Sequence, residues 1–231
     1  MANKRIGVLG TPGSGKTTLA KFLYMDEIPK SADVSPTRSN YTLYTDEEYD
    51  KGLCKGLIEL NDKFGVTNIF DSKSHQFSKD YSAEIEILKE CDVIIYVIVS
   101  EKIFDYRNQD NIEIKRYLKQ IKKELKIYSE YFEKTVKKGD NKAFIIIPNE
   151  MADDDFYDNN FDFNEWFDFI ADFKHYFFDS FCSKINRYFP LPMSIRDDNT
   201  DTEEEQKENR KDIKDFFNKP LDDVYNKNRR K

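Results

Sequence analysis

Gly10-Thr11-Pro12-Gly13-Ser14-Gly15-Lys16-Thr17 matches the pattern G-x-x-x-x-G-K-[ST], a loop that wraps phosphate groups. Its surroundings fit that reading. Ile6-Gly7-Val8-Leu9 before it has the run of a short buried strand, and Thr18-Leu19-Ala20-Lys21-Phe22-Leu23 after it has the character of a helix. Four of the eight glycines fall within residues 7–15. They let the chain turn so that successive backbone N–H groups of residues 10–18 point at one anion, and the helix start adds partial positive charge. Lys16 would neutralise phosphate oxygens, and the Thr17 hydroxyl is placed to hold Mg²⁺.

The rest of the composition narrows the class. A chain of 231 residues can bury one full core. A net charge of −7 works against a nucleic-acid groove, which needs clustered positive charge. Cys54, Cys91 and Cys182 are odd in number and far apart. They form neither a disulfide framework nor a metal-ligand spacing, so they read as small buried hydrophobes in a reducing cytoplasmic compartment. No apolar run reaches the roughly 18–20 residues of a membrane span, and Met1-Ala2-Asn3-Lys4 does not open a signal peptide.

Further along, Gly56–Leu60 and Val66–Phe70, separated by the turn-like Asn61–Gly65, read as an antiparallel hairpin. Lys79–Glu90 reads as a helix, and Val93–Val99 as a strand buried on both faces. Asn111–Lys138 reads as a long helix, with one apolar stripe of Ile114, Leu118, Ile121, Leu125, Tyr128 and Phe132. Ala143–Ile147 is the next strand, Asn164–Arg187 a helix, Leu191–Ile195 a last strand and Glu203–Phe217 a last helix. This alternation predicts an α/β fold: a mostly parallel six-stranded sheet with one antiparallel hairpin edge and helices on both faces. Ligands of such sheets bind at the carboxyl ends of the strands.

With the phosphate loop first and a single hairpin, the order resembles the Ras-like small GTPases, phosphate-loop NTPases of the TRAFAC class. The resemblance covers nearly the whole chain and implies one G domain over 1–231, with GTP or GDP and Mg²⁺ as cofactors. Three loops then gain expected roles. Thr37, in Ser35-Pro36-Thr37-Arg38, stands where the family has a mobile-loop threonine that joins Mg²⁺; Thr42 and Ser35 are substitutes. Asp71, in Asp71-Ser72-Lys73-Ser74, matches the family's Mg²⁺ aspartate, although a strand-end aspartate also serves to bind turn N–H groups. Ser74 replaces the family's glycine. His75 then falls at the position that orients the attacking water, or is an ordinary loop histidine.

The base-reading motif Asn-Lys-x-Asp is met by Asn149-Glu150-Met151-Ala152-Asp153. Asn149 is in place, Glu150 replaces the lysine, and Asp153 comes one residue late. The family's Ser-Ala-Lys is echoed by Ser194-Ile195-Arg196, whose Ile195 N–H is expected at the base carbonyl with Arg196 over the ring.

Outside these motifs, residues 156–189 concentrate aromatics, including Trp166, Phe169, Phe173, Phe177 and Phe181. They mark an enlarged helical element at about 151–190, read either as core with scattered surface rings or as a protein-partner or dimer surface. The resemblance implies a GTP-binding switch with slow hydrolysis, signalling through mobile loops to a protein effector. Two other readings stand beside it. One is an ATP-using phosphotransferase, for which Pro12–Thr17 is a familiar string; the other is a non-hydrolysing nucleotide-bound scaffold, which Ser74 favours.

Overall fold

The computed structural model describes residues 4–26, 41–45, 55–72, 81–104, 111–137, 140–149, 173, 175, 178–189, 195 and 202–226. In chain order the elements are β1 (Lys4–Gly10), α1 (Lys16–Met25), β2 (Tyr41–Thr45), α2 (Lys55–Phe64), β3 (Val66–Ser72) and α3 (Ser82–Glu90). They continue with β4 (Val93–Val99), the short α4 (Glu101–Phe104), α5 (Ile112–Thr135), β5 (Ala143–Asn149), β6 (Asn186–Tyr188) and α6 (Glu203–Tyr225).

The seven residues of β4 carry no charged side chain, and each is buried. Such a strand must lie inside a sheet covered on both faces. It does: the order is β2-β3-β1-β4-β5-β6. β1, β3, β4, β5 and β6 run parallel, and β2 runs antiparallel to β3. Side chains of β4 alternate between two cores. Ile94, Tyr96 and Ile98 join α3 and α5, whereas Val93, Ile95 and Val97 join α1, α2 and α6. The predicted stripe of α5, from Ile114 to Phe132, is buried throughout. Asn111 caps this helix by accepting from the N–H groups of Glu113 (3.0 Å) and Ile114 (3.3 Å), which fixes where it starts.

The hairpin expected from Gly56–Leu60 is not there. That run begins α2, and Leu57 and Phe64 face the core while Glu59, Asn61, Asp62 and Lys63 face water. The period is therefore helical, and the five-residue run was too short to distinguish the two. Gly65, at φ 75°, ends the helix, its N–H donating to the Asn61 carbonyl at 2.7 Å. The turn-like stretch is thus a helix terminus.

Among the described residues the last strand lies at Asn186–Tyr188, where the helix was expected to reach Arg187; Leu191–Ser194 of the expected last strand lie outside the described residues. Helix α6 runs past Phe217 and through Pro220, because Ile213, Phe217, Leu221 and Val224 keep one buried stripe going. Among the aromatics of 156–189, Phe173, Phe178 and Phe181 are buried in the core beside α5. Trp166, Phe169 and Phe177 lie outside the described residues. Cys91 and Cys182 are buried and free, as expected; Cys54 lies outside the described residues. No described helix is long and apolar enough to cross a membrane.

Phe144 is the hub of the α5-side core. Its ring lies 4.8 Å from that of Phe181, 6.1 Å from Tyr96 and 6.2 Å from Phe132, and it is fully buried. We expect Phe144→Ala to lower unfolding free energy by about 3–5 kcal/mol. Urea unfolding followed by circular dichroism should show a lower midpoint with an unchanged slope.

Candidate nucleotide site

The site forms where β1, β3, β4 and β5 end. Strand β1 stops at Gly10, and the chain must turn sharply to enter α1 at Lys16. It does so through Gly10, Gly13 and Gly15, all at positive φ (144°, 70° and 88°). Gly10 is required twice over. Its backbone is left-handed, and a Cβ there would collide with the Val97 carbonyl of the adjacent β4. The loop is pinned to β4 by the Thr11 N–H, which donates to the Val97 carbonyl at 3.2 Å. Gly13 and Thr17 are exposed, Pro12, Gly15 and Thr18 are half-buried, and Thr11 and Ser14 are buried. The tip of the loop and the start of α1 are therefore open to a ligand.

Lys16 is 4% exposed. Its Nζ donates to the Thr11 carbonyl at 2.8 Å, folding the ammonium back into its own loop. Burial pulls its pKa below 10.5; Asp71 first, then Glu124 and Glu84, pull it back up. Lys16 makes no ion pair with a described residue. A desolvated ammonium without a paired anion favours an incoming one. Asp71 is fully buried on β3, opposite Val8 of β1 and Thr42 of β2. The phosphate fit is thus met by loop geometry and by Lys16. The Thr17 hydroxyl and the Asp71 carboxylate are hard oxygen donors of the kind Mg²⁺ takes.

Asn149 ends β5 and is 2% exposed. Its Nδ2 donates to the Ser14 carbonyl at 2.9 Å, and its Oδ1 accepts the Ile195 N–H at 2.9 Å. Of the segments that sequence reading placed at one ligand, the phosphate loop, Asn149 and Ile195 are thereby brought together. One detail differs from expectation. The Ile195 N–H is held by Asn149 rather than turned toward a base, and its side chain is buried among Val97 and Ile147. Thr37, Ser74, His75, Asp153, Ser194 and Arg196 lie outside the described residues.

Sequence reading missed Tyr117. Its phenol oxygen lies 2.8 Å from Thr11 Oγ1 and accepts the Val99 N–H at 2.7 Å. Tyr117 stands beside the buried stripe of α5, between Arg116 and Leu118, and only its hydroxyl distinguishes it from a core ring. It also missed Glu124. This buried carboxylate on α5 accepts from the Tyr96 hydroxyl (2.6 Å) and from Gln120 Nε2 (2.9 Å). A glutamate at helix spacing within a lysine-rich stretch reads as a solvent-facing residue.

A parallel sheet with a glycine-turned phosphate loop after β1, a buried lysine at the first turn of α1 and an aspartate at the end of β3 defines a phosphate-loop NTPase. Residues 5–144 match the family model described as 50S ribosome-binding GTPase, and the chain belongs to that GTPase family. The match takes in the phosphate loop, Asp71 and α5, and ends before Asn149 and Ile195. No curated protein matched the chain.

The burial of Lys16 gives a pH prediction. Its folded-state pKa is lowered, so above that value the unfolded chain binds a proton that the folded chain does not, and stability rises with pH up to about 10.5. In nucleotide-free protein, Lys16→Met should be at least as stable as wild type at neutral pH. The difference should shrink as pH rises toward 10. Urea midpoints measured across that range check both signs.

Proposed function

We propose that the chain is a Ras-like guanine-nucleotide switch: a single cytoplasmic G domain that binds GTP and GDP with Mg²⁺, hydrolyses GTP slowly, and signals to a protein effector. The single observation that carries this reading is the double hydrogen bond of Asn149. It sets Ile195 at a fixed spacing from the phosphate loop, at the two sides between which a base would have to lie. The family match supports the guanine nucleotide. A protein partner is favoured over a nucleic acid because the net charge is −7.

In this mechanism the backbone N–H groups of residues 13–18 and the Lys16 ammonium hold the β- and γ-phosphates. Lys16 leaves the Thr11 carbonyl for the phosphate oxygens, and Thr11 keeps the Ser14 N–H (3.3 Å) on that carbonyl. Thr17, Asp71 and Thr37 would hold Mg²⁺, which would supply charge neutralisation at the phosphates. His75 orients the attacking water. Ser74, in place of glycine, stiffens the loop that must approach the γ-phosphate, and the phosphate loop carries no arginine to act as a finger in cis. Arginine fingers supply about 10³–10⁵ in rate where they act, so a chain without one turns over slowly.

Guanine should be preferred over adenine, by less than where the motif is intact, because Glu150 and the late Asp153 weaken the bidentate contact to the base. Competition of GTP, GDP, ATP and ADP against one fluorescent nucleotide tests this. Tighter binding of ATP than of GTP would overturn the guanine reading in favour of a phosphotransferase. Lys16→Ala should weaken triphosphate binding at least about 100-fold in a domain that stays folded by circular dichroism.

Single-turnover phosphate release should lose its Mg²⁺ dependence in Asp71→Ala and slow in His75→Ala with little change in affinity. No release at all from tightly bound GTP, with a partner captured equally in both nucleotide states, would instead identify a scaffold.

A further inference from the structure

Tyr117 is placed between the phosphate loop and the end of β4. The donors present fix the direction of one of its two hydrogen bonds and leave one arrangement that uses every proton. The Val99 N–H can only donate, so the phenol oxygen accepts it at 2.7 Å. The phenol has one proton, and the partner left for it is Thr11 Oγ1 at 2.8 Å. Burial raises the Tyr117 pKa above 10.0, so the phenol keeps that proton at any physiological pH.

The delivery of this hydroxyl is rigid. Ile114, Leu118 and Ile121 seat the same turns of α5 in the core, Lys102 lies over the Tyr117 ring at 5.3 Å, and Val99 is the last residue of a fully buried strand. Thr11 is then held on every polar atom it has. Its N–H goes to Val97, its carbonyl receives Lys16 Nζ and the Ser14 N–H, and its hydroxyl meets Tyr117.

We propose that Tyr117 is a positioning residue of the phosphate loop, fixing Thr11 and hence the carbonyl from which Lys16 departs to the phosphates, so that it governs how long a nucleotide stays bound. The inference rests on reading residues 10–18 as a nucleotide phosphate site, though not on which base is bound. Removing the phenol hydroxyl leaves two buried polar groups without their partner and frees the loop to sample shapes whose N–H groups no longer converge. The effect belongs to binding. At saturating nucleotide the loop is reordered by the phosphates themselves, so the rate of the chemical step should change much less.

The test uses the full chain with fluorescent GDP and, separately, fluorescent ADP, each chased with excess unlabelled nucleotide. Tyr117→Phe should speed dissociation about tenfold while single-turnover GTP hydrolysis at saturation stays within about threefold of wild type. Thr11→Val cuts the same bond from the loop side and should speed dissociation to the same extent. The double variant should be no faster than either single one, and Thr11→Ser, which keeps the hydroxyl, should stay within about twofold of wild type.

Wild-type dissociation rates in both Tyr117→Phe and Thr11→Val would overturn the proposal, even if both variants melt earlier. So would multiplied effects in the double variant, which would show two independent contacts. If wild type holds ADP longer than GDP, the guanine reading fails, and the same ratio of variant to wild type measured with ADP still decides the role of Tyr117.

Discussion

A buried ammonium organises this molecule. Lys16 has lost most of its water and has no carboxylate at contact distance among the described residues, yet three acidic groups on three different elements favour its charged form against that burial: Asp71 on β3, Glu124 on α5 and Glu84 on α3. An isolated charge in such a position is costly, and the fold answers with a diffuse negative field from two of its layers. Glu124 is itself fixed by Tyr96 and Gln120, and Tyr96 stacks on Phe144 with ring centroids 6.1 Å apart. The charge at the phosphate loop is thus coupled, through one carboxylate, to the aromatic core under α5. A polyphosphate placed at the loop would meet a cation already stripped of solvent, which is why the interaction is strong there and would be weak at a surface lysine.

The loop carrying that cation is braced at two points rather than along its length. Thr11 is held from β4 and α5; Ser14 is held through its carbonyl by Asn149 from β5. Between these braces Gly13 is exposed, with nothing within 4 Å of where a Cβ would sit. Fixed ends and an open tip suit a loop whose N–H groups must already converge before the anion arrives, since ordering them on binding would cost conformational entropy.

Much of this was legible in the sequence because it follows from periodicity or from backbone chemistry. β4 was plain from an unbroken apolar run, α5 from a six-residue stripe, and the phosphate loop from glycines at positions where the chain must adopt positive φ. Asp71 and Asn149 were legible as residues that end strands next to that loop. What stayed hidden depended on tertiary context. The run Gly56–Leu60 is as compatible with a strand as with a helix until Phe64 and the terminating Gly65 are seen to complete a helical face. The three-residue β6 is too short to carry a pattern. Tyr117 and Glu124 hide for a further reason: a polar atom at the rim of an apolar stripe looks solvent-facing until its buried partner, Thr11 or Tyr96, is known.

The two halves of the site rest on different kinds of chemistry. On the proposed reading, phosphate recognition uses backbone N–H groups and one ammonium, and the residues that would supply them lie within 5–144, the stretch that matches the GTPase family model. Base recognition depends on particular side chains beyond that match. Asn149 belongs to both halves, but its amide is committed to Ser14 on one side and Ile195 on the other. What it supplies first is distance: it sets how far Ile195 stands from the loop of Lys16. A residue in that role keeps its structural value whatever base is bound. Preference for one base over another must therefore come from groups around this frame, and the frame itself sets only where a base can lie.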